Sequence, residues 1–250
     1  TASTPGAPGD KDSIGAAIAP LTEQMAALQN RLWAESKQSL LIVLQAMDTG
    51  GKDGTIKHVF TGLNPQGVRV AAFKAPSEDE LKHDFLWRVH HQAPAKGEIV
   101  IFNRSHYEDV LIVRVHSIVP EKVWRARYEA IADFERHLVE SGTTIVKLWL
   151  HISPQEQKRR LQARLDDQTK RWKFNPDDLD ERKLWSDYMA AAEEMLQRTS
   201  TDDAPWYVVP ADHKWYRDWV VSRVLADTLE SMAPKYPDPP DLQHCEIPDV

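Results

Sequence analysis

The chain has 250 residues and one cysteine, Cys245, which lies in a proline-rich C-terminal stretch. A lone thiol excludes an internal disulfide framework. No apolar run approaches the roughly 20 residues that a membrane span needs, so no membrane partner is expected. Positive charge is not in excess: the net charge of −7 argues against a nucleic-acid binder held by a generally basic surface. The opening residues, TASTPGAPGDKD, have no basic segment followed by an apolar core and do not resemble a secretory signal. The cytoplasm is therefore the expected compartment. Internal repeats and low-complexity blocks are also missing. So is the Asn-Lys-x-Asp motif that a guanine-reading switch would carry.

The remainder has the composition of a soluble globular protein, long enough for one large domain or a core with a mobile subdomain. Residues 1–12 read as a flexible lead, 13–235 as the folded domain, and 236–250 as an extended proline-rich tail. Ile14, Ile18, Leu21, Met25, Leu28 and Leu32 recur at helical steps and predict a helix over Ser13–Lys37. That helix should pack across the domain or against a partner subunit. Five short apolar runs are strand candidates: Leu40–Gln45, Val68–Phe73, Glu98–Phe102, Thr144–Leu150 and Trp206–Val209. They are too apolar on both faces for edge strands of an antiparallel sheet, and helical segments separate them. The expected fold is α/β, a central parallel five-stranded sheet with helices on both faces. Ser77 and Glu80 form a capping-box signal before a predicted helix reaching about His91. A further helix spans Glu121–Ser141, closed by Gly142. Ser153-Pro154 opens another, Asn175-Pro176 interrupts it, and it resumes to about Arg198, so that 154–200 reads as a helical hairpin inserted before the last strand.

The densest chemical signal is Leu40–Thr55, LLIVLQAMDTGGKDGT. An apolar strand that breaks into a glycine turn and then a helix points backbone N–H groups inward, where the helix dipole also favours an anion. Thr49, Gly50, Gly51 and Gly54 belong to this cradle, and Lys52 adds a cation at the phosphate. The pattern departs from the usual phosphate loop at two places. Ala46 takes the first glycine position, and Asp53 follows the lysine where Ser or Thr commonly serves Mg²⁺. The alternative is an ordinary strand–turn–helix with a surface lysine. Asp48 favours the phosphate reading, because a carboxylate beside an anion cradle makes sense mainly with a metal ion.

The third apolar run ends in Asn103-Arg104, where a strand would point a metal ligand and a guanidinium at phosphoryl oxygens. Glu108 and Asp109 follow one turn later, either as site residues or as favourable helix-start charge. Lys74 and Arg88 are candidates to line a channel for a long anion, or to be plain surface charges. His90 and His91 have no partners at metal-ligand spacing. Between Lys158 and Lys173 stand seven Lys or Arg and two acids, Asp166 and Asp167. Such a run is usually a solvated helix face; after a phosphate loop it also fits a lid bringing cations to the site. Arg159, Arg160, Arg164, Lys170 and Lys173 are the candidates, and Trp172 either stacks on a base or anchors the hairpin.

Four segments in this order, AMDTGGKDGTIKHV (46–59), FKAPSEDELKHDFLWR (73–88), IVIFNRSHYEDVL (99–111) and RLDDQTKRWKFNPDDLD (164–180), resemble the family-2 polyphosphate kinases over about residues 15–235. The resemblance implies a thymidylate-kinase-like P-loop fold with a helical lid over about 154–200. It also implies reversible phosphoryl transfer between inorganic polyphosphate and AMP, ADP or ATP, dependent on Mg²⁺ with Mn²⁺ as a substitute. Carried over, Asp48 and Lys52 belong to the Walker A site and Arg104 to the Walker B region. Asn103 stands where many members have aspartate, and resembles the class III branch, whose members phosphorylate both AMP and ADP. Asp48 and Asn103 are the expected metal residues, and a homodimer or homotetramer is the expected assembly. The rival readings are an ATP-dependent small-molecule or nucleoside monophosphate kinase, a nucleotide switch, and a polyphosphate-binding structural protein.

Overall fold

The computed structural model describes residues 3–240; Cys245 and the tail from 241 onward lie outside the described residues. Its strands are β1 (Ser39–Ala46), β2 (Val68–Ala72), β3 (Ile99–Asn103), β4 (Thr143–His151) and β5 (Trp206–Pro210). Its helices are α1 (Lys11–Glu35), α2 (Lys52–Val59), the four-residue turns α3 (Trp87–His90) and α4 (Ile112–Val115), α5 (Glu121–Glu140), α6 (Pro154–Asp166), α7 (Asp177–Lys183), α8 (Trp185–Thr199) and α9 (Lys214–Met232).

The strands form one sheet in the order β2-β3-β1-β4-β5, and every pairing is parallel. Parallel neighbours need long crossovers, which the intervening helices supply. β1 is central, with Leu40–Leu44 opposite Ile99–Asn103 and Ser39–Ala46 opposite Thr143–Leu150. Successive side chains of β1 enter opposite layers. Leu41 and Val43 join Val100, Phe102 and the α5 residues Tyr128, Ile131 and Phe134. Leu40, Ile42 and Leu44 join Leu28 and Leu32 of α1 and Val221 and Leu225 of α9. Two-sided burial is why this strand reads as a continuous apolar run. β2 and β5 are the edges, and Val70, Tyr207 and Val208 on them are exposed. Their apolar runs therefore do not mean full burial on both faces.

α1 packs against α9 within the chain, and Asp10 caps it by accepting the Ser13 N–H at 3.0 Å. Ser153 likewise caps α6, accepting from the Glu156 N–H at 3.1 Å. The helix expected over residues 77–91 is not continuous. The Ser77–Glu80 capping box is present, with both reciprocal hydrogen bonds, but it caps a single turn, Glu80–Lys82. His83 is extended, and Asp84 starts a new turn by accepting from the Leu86 N–H at 3.0 Å. No helix among the described residues is long and apolar enough to cross a membrane.

Candidate active site

The turn between β1 and α2 folds as a tight anion cradle. Gly50 N–H donates to the Met47 carbonyl at 2.9 Å, and a Cβ on Gly50 would stand 2.4 Å from the Ala46 Cβ. The absence of a side chain at 50 is thus what lets alanine replace the customary glycine at 46. Thr49 (φ +60°) and Gly51 (φ +109°) both take left-handed backbone, and Gly51 caps α2. Lys52, the first residue of α2, donates from Nζ to the Ala46 carbonyl at 3.1 Å, so its ammonium lies across the cradle. Burial holds Lys52 below the usual lysine range, Arg104 pushes in the same direction, and Asp48 and Glu108 oppose them. A cation kept in so unfavourable a place is a mark of a site built for an anion.

Two flanks follow from the strand order. On the β4–β5 side, α6 and α9 bring Arg159, Arg160, Lys214 and Arg217 to the cleft, with His58 of α2 beside them. Arg160 is not a free lid cation. It is nearly buried, donates to the carbonyls of Thr49 and Gly50 (3.0 Å each) and of Ala211 (2.5 Å), and pairs with Glu156 at 2.6 Å. It braces the loop from behind. Arg217, 1% exposed, pairs with Asp218 at 2.6 Å and packs so closely that a Gly51 Cβ would lie 2.1 Å from its Nη1. Sequence reasoning missed Arg217, Lys214 and His58. The available signal for Arg217 was its phase with Val221 and Leu225, an arginine set on the apolar stripe of a helix.

On the β2–β3 side, Asn103 Nδ2 donates to Asp53 Oδ1 at 2.9 Å, and Arg104 Nη2 donates to Asp48 Oδ1 at 3.1 Å. Asp53, in the place of the usual hydroxyl, is thereby tied to the end of β3. Arg104 has φ +61°, a conformation that costs a non-glycine residue about 1–3 kcal/mol. Lys74 lines the cleft, whereas Arg88 does not. Arg88 is buried, donates to the Lys74 carbonyl at 2.8 Å and stacks over Phe73, so it shapes the strand end that carries Lys74. Glu108 is half-buried; burial raises it, while Arg104 and Lys52 pull the other way. Asp109 turns away to Arg127 at 2.7 Å, a structural pair.

The 154–199 excursion closes the cleft from above. Arg159, Arg164, Lys170 and Lys173 line it, together with Asn175 and Asp178, which the sequence did not single out. Arg164 contacts Asp178 at 3.4 Å, and Lys170 pairs with Asp167. Burial, then Asp48 across the gap, raises Asp178. Trp172 is 78% exposed and does not line the cleft; the Lys173 ammonium sits over its ring at 5.0 Å. The cleft, open to solvent, has a volume of about 640 Å³ and is lined by the phosphate loop, by cations from both flanks and from the excursion, and by a few carboxylates.

A parallel sheet in this order, with an anion loop after its central strand and a basic excursion above it, defines a P-loop kinase fold. The chain belongs to the polyphosphate kinase 2 family, whose model matches residues 9–237. It is 56% identical over 231 residues to an AMP/ADP-polyphosphate phosphotransferase of Meiothermus ruber, covering 92% of this chain and 86% of that protein. It is 46% identical over 237 residues to an ADP-polyphosphate phosphotransferase of Rhodopseudomonas palustris, covering 90% and 82%. Among solved structures, polyphosphate kinase 2 from Arthrobacter aurescens superposes with a TM-score of 0.93 at 48% identity, over 95% of this chain and 86% of that one. The protein is a phosphotransferase.

Proposed function

We propose that the enzyme moves the terminal phosphoryl group of inorganic polyphosphate to AMP and ADP, reversibly, by direct in-line transfer. The observation that carries this reading is the make-up of the β4–β5 flank. A nucleotide donor would need an apolar slot for its base there; among the described residues lining the cleft, this flank instead brings Arg159 and Lys214, with Arg160 and Arg217 bracing the loop beside them and His58 its one aromatic ring. Such a surface suits a donor that is charged along its whole length. The acceptor then enters from the β2–β3 side, between Lys74, Asn103 and Arg104.

Phosphoryl transfer asks for positioning and charge neutralisation more than for covalent chemistry. In this reading the loop N–H groups and Lys52 hold the donor's end phosphates, Arg104 gathers oxygens of the transferred group, and Arg164 arrives with the 154–200 segment acting as a lid. Closure of that lid excludes water and so suppresses hydrolysis of the donor. The acceptor oxygen is already ionised near neutral pH, so no general base is assigned. Asp48 and Asn103, with Asp53 beside them, form an all-oxygen donor set suited to Mg²⁺, and to Mn²⁺ in its place. In this reading the ion is held by one or two protein groups plus phosphates and water. When bound, the ion would neutralise charge on the phosphates. In this reading the enzyme works in the cytoplasm, where AMP and ADP are available, and assembles as a homodimer or homotetramer.

The deciding experiment incubates ADP with polyphosphate and Mg²⁺ in the absence of ATP. Appearance of ATP is expected; its absence, with ATP-driven phosphorylation of a small molecule instead, would favour the nucleoside monophosphate kinase reading. The Asn103–Asp53 contact extends the proposal to acceptor choice. An aspartate at 103 would set a second carboxylate about 3 Å from Asp53, and like charges at that distance repel strongly or recruit a cation. Asn103→Asp is therefore expected to change the ratio of AMP to ADP phosphorylation by several-fold. An unchanged ratio of initial rates would remove position 103 from acceptor selection.

A further inference from the structure

On the α5 face of the sheet lies a buried polar cluster that the proposed reaction does not use. Glu135 of α5 and Lys147 of β4, 2% and 0% exposed, pair at 2.5 Å. Glu135 Oε1 also accepts from the Tyr107 hydroxyl at 2.7 Å and stands 3.2 Å from His106 Nε2. Lys147 Nζ donates further to the Tyr107 hydroxyl at 2.9 Å and to the Thr199 carbonyl at 2.6 Å. A buried ion pair seldom outperforms well-packed apolar residues of the same volume, so stability alone does not account for it.

What the cluster holds does account for it. His106 and Tyr107 follow Arg104 by two and three residues, and Thr199 ends α8, the last helix of the basic excursion. Between them, Ser105 Oγ accepts from Gln45 Nε2 and from the Tyr107 N–H, each at 3.1 Å, while Arg104 N–H donates to the Leu44 carbonyl at 3.2 Å. Arg104 itself is left-handed, and such a backbone persists only where its surroundings over-determine it. We infer that the Glu135–Lys147 pair is a positioning device for Arg104: it clamps the turn that aims the guanidinium and ties that turn to the end of α8. The placement of Arg104 and of the excursion's base are then set by the same four side chains. The inference rests on the assignment of Arg104 to the transferred phosphoryl group.

Two variants separate positioning from simple support. Glu135→Leu with Lys147→Met removes both charges together and leaves no unpaired ion; Tyr107→Phe deletes one hydroxyl. Each is made in the native chain and in an Arg104→Lys chain, and ATP formation from ADP and polyphosphate is measured alongside thermal unfolding. In the native chain kcat is expected to fall about tenfold with KM for both substrates within about twofold, the pattern of an interaction made in the transition state. In the Arg104→Lys chain the further loss should be under about twofold, because groups that act through one residue are not additive. Equal losses in both chains, or an unchanged kcat in folded variants, would overturn the inference. Should the double substitution prevent folding, Tyr107→Phe decides by the same comparison. A native chain that makes no ATP would instead overturn the functional reading, so the two failures are distinct.

Discussion

Lys52→Ala is expected to lower kcat for polyphosphate-driven ATP formation by about 10²–10³ or more, the usual effect of deleting one preorganised group that meets transition-state charge. The fold should survive. Among the described residues Lys52 donates to the Ala46 carbonyl alone, and burial already depresses its pKa, so the native state carries the ammonium at a cost. Removing it should leave the unfolding temperature unchanged or slightly raised. A loss of activity with undiminished thermal stability is thus the combined result to look for. Steady-state kinetics with differential scanning calorimetry provides both numbers. If turnover stays within threefold or so of the native chain, the loop is not where the donor reacts.

The second large effect is expected from Gly51→Ala, although it adds a single methyl group. Gly51 has φ +109°, outside the backbone region open to alanine, and the new Cβ would fall 2.1 Å from Arg217 Nη1. Arg217 is buried and held by Asp218, and the Arg160 guanidinium blocks the neighbouring space at 3.4 Å. Neither can swing aside, so the loop must move. A displacement near 1 Å in a positioning element costs about 10² in rate. Both kcat and the unfolding temperature should therefore fall. Gly54→Ala is the control: its Cβ would meet Arg217 Nη2 at 3.3 Å without a forced backbone, and a much smaller loss is expected. Equal effects from the two substitutions would mean that the close approach of Arg217 is not what requires glycine at 51.

The proposed donor follows from the same packing. Arg160 and Arg217 approach the loop from α6 and α9, the helices after β4 and β5, and in this reading they leave no room on that flank for a nucleoside. Donor choice in this reading is a property of one flank of the sheet, and acceptor choice of the other. Asn103 ends β3, one strand away, so substitutions there should alter acceptor kinetics more than donor kinetics.

Much of this architecture was readable from residue order, because the signals are local. The two-sided apolar runs, the Ser153 cap, the Gly142 stop and the glycine turn before Lys52 each depend on neighbours within a few positions, and all five strands and the helices α1, α5 and α6 formed close to where expected, although α1 starts at Lys11 inside the expected lead and α9 was not foreseen. The segment from Ser77 to His91 misled for the same reason. Its capping box is real, but the extended backbone at His83, and Arg88 drawn inward to the Lys74 carbonyl, answer to distant packing.

The chain order alone settles that a phosphate loop follows the first strand, and which charged residues are available to serve it; that this strand is central is decided by the sheet order. It does not settle which cations face the anion. Arg160 reaches loop carbonyls 110 positions away, and Arg217 meets Gly51 from the far end of the chain. Pairings across such distances exist only once the sheet has brought its strand ends together, since nothing in local periodicity or charge encodes them.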